Sequence, residues 1–164
     1  MFLAAFSRVG DDVFIAGQPT ERALRELRDQ GVMTVVNLRM PDEMRNQVPF
    51  DEAALVEQLG MRYVHIPVRA GTENPYSPAT LARFTEALHT SNGKVLLHCT
   101  IAWRASHLWA AYLIRERGIP VEVALKHARA INLLDTTRVA PAGGRQPVEE
   151  FLDRALPTLG RTPR

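Results

Sequence analysis

The chain has 164 residues, 46% hydrophobic and 23% charged, with a formal net charge of +2 at pH 7. That length can bury a core without metals or crosslinks, and the simplest organisation is a single domain over residues 1–164. One cysteine excludes an internal disulfide and gives no secretory signature, and no stretch approaches the roughly 18 apolar residues that span a bilayer. The mild charge, without interleaved aromatic and basic residues, excludes nucleic acid as the expected partner. The opening MFLAAFSR has no basic region and too short an apolar run for a signal peptide, so a cytoplasmic protein is expected.

Taken in chain order, strands and helices alternate. Val13–Gly17 reads as a short strand, and Thr20 as the cap of a helix that places Ala23, Leu24 and Leu27 on one face before Gly31. Val32–Arg39 is β-branched and reads as a central strand. Pro41–Pro49 breaks the pattern and is expected to be a loop. A helix over Asp51–Gly60 and a strand over Arg62–Val68 follow, then a turn-rich loop over Arg69–Pro78. Ser77 or Thr80 caps the next helix, which carries Leu81, Phe84 and Leu88 on one side. Gly93–Cys99 is the next strand, and Arg104–Gly118 a strongly apolar helix. Pro120 suits the first turn of a helix running to Asn132; a Pro/Gly-rich loop (Val139–Pro147) precedes the closing segment Val148–Leu156. The alternation predicts an α/β fold, with a central, mainly parallel sheet of four or five strands flanked by helices.

Chemistry concentrates where the strand Gly93–Cys99 meets the following helix, in HCTIAWRAS. In open α/β sheets ligands collect beyond the carboxyl ends of the strands, and a helix N-terminus there favours an anion. A thiol in that setting ionises more readily. Moving it from about 8.5 to roughly 5 requires about 4–5 kcal/mol, within the reach of a helix terminus and an arginine acting together. Taken singly, Cys99 reads as a small buried hydrophobe and Arg104 as a solvated side chain. Their ordered succession points to a nucleophile and a fixed fork for oxyanions.

HCTIAWRAS resembles the phosphate-binding loop of cysteine-dependent protein phosphatases. With FIAGQPTERALRELRDQGVMTVVNLR and LGMRYVHIPV, the chain resembles the bacterial tyrosine/dual-specificity-phosphatase-like group related to the domain fused to β-lactamase-like hydrolases. The likeness runs from about Val13 to Ile131. It implies a cysteine-phosphatase-like fold, Cys99 as nucleophile, Arg104 on the phosphate, and Ser106 assisting the thiolate as it leaves. It also implies a phosphate cradle of Thr100, Ile101, Ala102, Trp103, Arg104 and Ala105, with no metal or organic cofactor.

The pattern departs from the family in three places. Four residues, not five, separate Cys99 from Arg104, a spacing shared with rhodanese-type sulfurtransferases. The loop has no glycine, and Ile101 resists positive φ, so it is expected to close with ordinary backbone angles or to close poorly. Trp103 is a candidate pocket wall or a packing residue. Arg69 stands where the related enzymes carry an aspartate as general acid; Glu73 and Asp135 are the candidate substitutes, with loop solubility and helix capping as their plainer roles.

Arg39, Gln18, Thr20 and His98 have weaker claims. Arg39 would add positive potential or pair with Asp42 or Glu43, Gln18 and Thr20 border the site or serve capping, and His98 orients the loop. The expected activity is hydrolysis of a phosphate monoester, on a phosphorylated small molecule or a phosphoprotein, through a cysteinyl-phosphate. The alternatives are a persulfide-carrying sulfurtransferase and a phosphate-binding module of weak activity. The sequence gives no oligomeric state.

Overall fold

The structure, a computed structural model, describes residues 6–9, 12–69 and 77–131. Five strands form one sheet: β1 (Phe6–Val9), β2 (Val13–Ala16), β3 (Val32–Asn37), β4 (Arg62–His65) and β5 (Lys94–His98). The helices are α1 (Glu21–Asp29), α2 (Pro41–Gln47), α3 (Glu52–Gln58), α4 (Pro78–Thr90), α5 (Trp103–Arg117) and α6 (Val121–Ile131). The strand order is β1-β2-β5-β3-β4, with β1 antiparallel to β2 and the other pairings parallel. This is the expected α/β architecture. No helix among the described residues is long and apolar enough to cross a membrane.

Strand alternation sorts the core into two layers. Val13, Ile15, Val36, Val95 and Leu97 face α4 and α5, where Leu81, Phe84, Leu108 and Trp109 complete one cluster. Phe14, Ala16, Val35 and Leu96 face the other way, onto Leu24 and Leu27 of α1 and Leu55 and Val56 of α3. Leu24 and Leu27, almost wholly buried, contribute roughly 1.5–3 kcal/mol each by burial. Thr20 accepts from the Ala23 N–H at 3.1 Å, and Ser77, rather than Thr80, caps α4 by accepting from Thr80 N–H at 3.2 Å.

Three expectations are corrected. Pro41–Pro49 is not a loop: α2 occupies Pro41–Gln47, with Pro41 in its first turn and the Glu43 carboxylate accepting from the Met40 N–H at 2.7 Å. That half of a capping box offsets a sequence with no buried face. Strand β1 was not expected; it adds an antiparallel edge beside β2. The regular parts of β3 and β4 stop at Asn37 and His65, although Ile66 N–H to Asn37 O (2.9 Å) and Val68 N–H to Leu38 O (3.0 Å) continue the pairing. The closing segments, Val139–Pro147 and Val148–Leu156, lie outside the described residues.

The carboxyl ends of β2, β5 and β3 come together because their registers align: Ala16, His98 and Asn37 are neighbours across the sheet. Cys99, Gln18 and Arg39 follow them. The Cys99 N–H reaches Ala16 O at 3.3 Å, and the Gln18 N–H reaches Thr100 O at 3.0 Å. Gly17 also forms an antiparallel bridge with Ile101. A Cβ at Gly17 would lie 2.6 Å from Thr100 O, so the tip of β2 approaches the Cys99 loop only because it has no side chain there. Gly17→Ala is expected to destabilise the protein by about 1–3 kcal/mol. A thermal melt checks this, and an unchanged midpoint would show that the bridge moves aside without cost.

Candidate active site

The loop leaving β5 runs from Cys99 to Trp103, and α5 delivers Arg104 in its first turn. Cys99 is fully buried on the α5 side of the sheet, against Ala102 and Ala105. The turn is made by Ala102, at φ 69° the one non-glycine residue with positive φ among those described. The loop therefore does use a left-handed residue, contrary to expectation, and places it one position after the β-branched Ile101. Alanine there costs about 1–2 kcal/mol, which the surrounding packing must offset. Ile101 points outward and is 37% exposed. Trp103 is not a pocket wall: it is buried and packs edge-on against His107 at 5.3 Å between centroids. The Ser106 hydroxyl is buried and donates to Trp103 O at 3.0 Å.

The Arg104 fork is engaged by a residue that the sequence reading treated only as a partner for Arg39. Its Nη2 donates to Glu43 Oε1 at 2.7 Å and Thr100 Oγ1 at 2.9 Å, and its Nη1 to Glu43 Oε2 at 2.9 Å and Val68 O at 3.1 Å. The four N–H groups on the two terminal nitrogens thus meet protein acceptors. Thr100 Oγ1 in turn donates to Glu43 Oε1 at 3.1 Å. Burial opposes a charge on Glu43. Hydrogen bonds from Arg104, the Met40 N–H and Thr100, with the Arg104 charge, outweigh it and bring the carboxyl down from 4.5 to about 2.

Two further arginines approach Glu43. Arg39, only 2% exposed, lies with Nε 3.9 Å from Glu43 Oε1, and its Nη groups donate to Gln18 Oε1 (2.9 Å) and Gln47 Oε1. Its Nε is buried without a hydrogen-bond partner. Burial pulls this guanidinium below its ordinary range, with Glu43, Cys99 and Glu52 opposing. Arg69 pairs with Asp42 at 3.2 Å and lies 3.8 Å from Glu43. Side-chain bonding to Arg69 holds the Asp42 carboxyl below its usual range.

On the opposite face, behind Cys99, His98 and Glu52 form a fully buried pair at 2.9 Å. His98 Nδ1 lies 3.2 Å from Cys99 O, which places His98 as the loop-orienting residue the sequence suggested. Gln18 spans from Arg39 to Glu52, and Thr20 serves as a cap. Glu73 and Asp135 lie outside the described residues. Glu43 and Glu52 are the site residues sequence reasoning missed. The usable signal for Glu43 was its position, third in a helix opened by Pro41, but the segment was read as a loop. A groove of about 1310 Å³ at the other end of the strands, lined by Lys94, Trp109, Tyr112 and His127 among others, is remote from this chemistry.

A family model described as DSP-PTPase phosphatase fused to NAD+ kinase matches residues 9–140. The chain belongs to this family. Beta-lactamase hydrolase-like proteins from two strains of Xylella fastidiosa, Temecula1 and 9a5c, are each 32% identical to it over 129 residues. The match takes in 76% of this chain but 29% of theirs, so the chain spans less than a third of these curated relatives. A solved DUF442 phosphatase from Shewanella putrefaciens CN-32 superposes with a TM-score of 0.69 at 27% identity, over 91% of this chain and 87% of that one. TpbA of P. aeruginosa, in complex with pTyr, matches with a TM-score of 0.62 at 20% identity, over 92% and 96% of the two chains. At that identity the likeness is one of fold. The cysteine-based tyrosine/dual-specificity phosphatase class read from HCTIAWRAS is thus the chain's own family.

Glu43 ties this site to acid stability. Its carboxyl is depressed in the folded protein, so its contribution is complete above about pH 4.5 and is lost as the pH falls toward 2. Acid titrations of wild type and Glu43→Gln, followed by circular dichroism, are expected to show a stability gap above pH 4.5 that narrows between 4.5 and 2. A gap independent of pH would contradict the assignment.

Proposed function

We propose that this domain hydrolyses phosphate monoesters by nucleophilic catalysis at Cys99. The observation that carries the proposal is the placement of Cys99 at the carboxyl end of β5, with Arg104 returned to the same loop by the first turn of α5. The Cys99 thiolate attacks phosphorus, the P–O bond to the leaving group breaks, and a cysteinyl-phosphate forms. Water then attacks phosphorus, the S–P bond breaks, and the thiolate returns with release of inorganic phosphate. The scheme calls on no metal or organic cofactor.

In this reading Arg104 and the loop N–H groups of Thr100, Ile101, Ala102, Trp103 and Ala105 carry the charge on the phosphoryl oxygens. A phosphate entering the loop displaces or shares the Glu43 oxygens on Arg104. Ser106 assists departure of the thiolate only after its hydroxyl leaves Trp103 O. Glu73 and Asp135 are the candidate donors of the leaving group's proton. The substrate is a phosphorylated small molecule or a phosphoprotein; the neighbouring TpbA holds pTyr, and an aryl phosphate is the matching probe.

A second reading, a phosphate-binding module with weak turnover, is favoured by the full burial of Cys99 and by the hold of Glu43 on Arg104. One experiment separates the two. Phosphate release from p-nitrophenyl phosphate is expected to fall at least about 1000-fold in Cys99→Ser and about 100-fold in Arg104→Lys. Equal rates in wild type and Cys99→Ser would remove the enzymatic reading, and phosphate binding without turnover would leave the module.

A further inference from the structure

The phosphatase reading makes no use of Arg69 and Asp42, which stand beside the guanidinium that it assigns to phosphate. Arg69 Nη2 donates to Asp42 Oδ1 and Oδ2, at 3.3 and 3.2 Å, and lies 3.8 Å from Glu43 Oε2. That same Glu43 oxygen accepts from Arg104 Nη1 at 2.9 Å. We propose that Arg69 is a specificity-determining residue, which receives a second anionic group carried by the substrate next to its scissile phosphate. The substrate class is then a phosphate monoester with a carboxylate or a further phosphate close by. The proposal rests on Arg104 holding the reactive phosphoryl group, as the phosphatase reading has it.

The backbone fixes where Arg69 starts. The Val68 N–H continues the sheet pairing onto Leu38 O at 3.0 Å, and the Val68 carbonyl accepts from Arg104 Nη1 at 3.1 Å. Arg69 therefore leaves the sheet from a peptide that is itself bonded to Arg104. Neighbouring side chains of an extended chain point to opposite sides, so wholly buried Val68 is followed by a half-exposed Arg69. Both guanidiniums then meet one carboxylate oxygen. Their spacing is one that two adjacent anionic groups of a small molecule can bridge.

Asp42 and Glu43 are neighbours in the first turn of α2, and each is matched to one of these arginines. The inner pair is sheltered, with Arg104 at 16% and Glu43 at 15% side-chain exposure. The outer pair is open, with Arg69 at 42% and Asp42 at 49%. An exposed ion pair adds little stability, because water competes for both partners. Asp42 therefore yields Arg69 at small cost to a better acceptor. A substrate with one anionic group replaces Glu43 on Arg104 and leaves Asp42 facing the new negative charge. A substrate with two replaces both carboxylates, and each guanidinium keeps an anion.

The test uses the whole chain and matched pairs of ligands that differ by a carboxylate. Binding of phosphonoacetate and methylphosphonate is measured by calorimetry, and turnover of 3-carboxyphenyl phosphate and phenyl phosphate by phosphate release. Thermal melts show which variants fold. Wild type is expected to favour the carboxylated member of each pair by about tenfold. Arg69→Gln is expected to bring that preference below about twofold, and Arg69→Lys, which keeps the charge but not the fork, to about threefold. Asp42→Asn, which loosens the present hold on Arg69, is expected to raise the preference about threefold above wild type.

A wild type that binds the two phosphonates alike overturns the proposal. A preference that survives in folded Arg69→Gln overturns it as well, since it then belongs to the positive field of the whole site. If Arg69→Gln does not fold, Asp42→Asn decides: a preference no greater than wild type overturns the proposal. Loss of the phosphatase reading looks different. It appears as an Arg69-dependent preference for phosphonoacetate with no Cys99-dependent turnover of either ester. Binding of neither phosphonate removes the proposal together with the role of Arg104 on which it rests.

Discussion

Everything in front of the Cys99 loop depends on Glu43 being charged. Arg104, Arg69 and Arg39 approach its carboxylate to 2.7, 3.8 and 3.9 Å, and without it three like charges would share a partly dehydrated corner of the protein. A guanidinium held by two carboxylate oxygens is fixed in plane as well as in position. Glu43 thereby settles where the Arg104 fork points, and the Met40 N–H it also accepts ties that fork to the start of α2. A short surface helix with no buried residue of its own is thus part of the framework of the site.

Behind the loop a second carboxylate does related work with a different partner. The alternation of β5 sends His98 and Cys99 to opposite faces, so Cys99 has carboxylate pairs on both sides: Glu43 with Arg104 before it, Glu52 with His98 behind it. Gln18 and Arg39 connect the two across the strand ends. Both carboxylates stand on helices that follow β3, although Cys99 and Arg104 belong to β5 and α5. The site is therefore assembled from two segments of chain about fifty residues apart.

That assembly explains what could be read from the sequence. The strand–loop–helix unit around Cys99 is local, and its residues sit in an order that only a few chemistries use. The apolar strands, the Thr20 cap and the alternation that gives the sheet are local patterns too. Glu43 and Glu52 were illegible because their partners lie 61 and 46 residues away, and no spacing rule links them. Asp42 and Glu43 were weighed only as partners for Arg39, within a segment expected to be a loop. Helix α2 was hidden for a related reason: it has no apolar face, so periodicity is silent, and only Pro41 and the Glu43 cap mark it. Gly17 was read simply as the stop of a strand, whereas its missing Cβ is what admits the Thr100 carbonyl.

Ala102 carries a consequence for the energetics of ligand binding. Most loops of this kind can spend a glycine on the left-handed turn, but here an alanine is held at φ 69°. The loop consequently starts about 1–2 kcal/mol behind its glycine counterpart, a factor of about 5–30 in population. An anion that gathers the loop amides stabilises the strained shape and the bound state together. Affinity and loop order are then one linked equilibrium, and the protection of these amides against hydrogen exchange becomes a gauge of how full the site is.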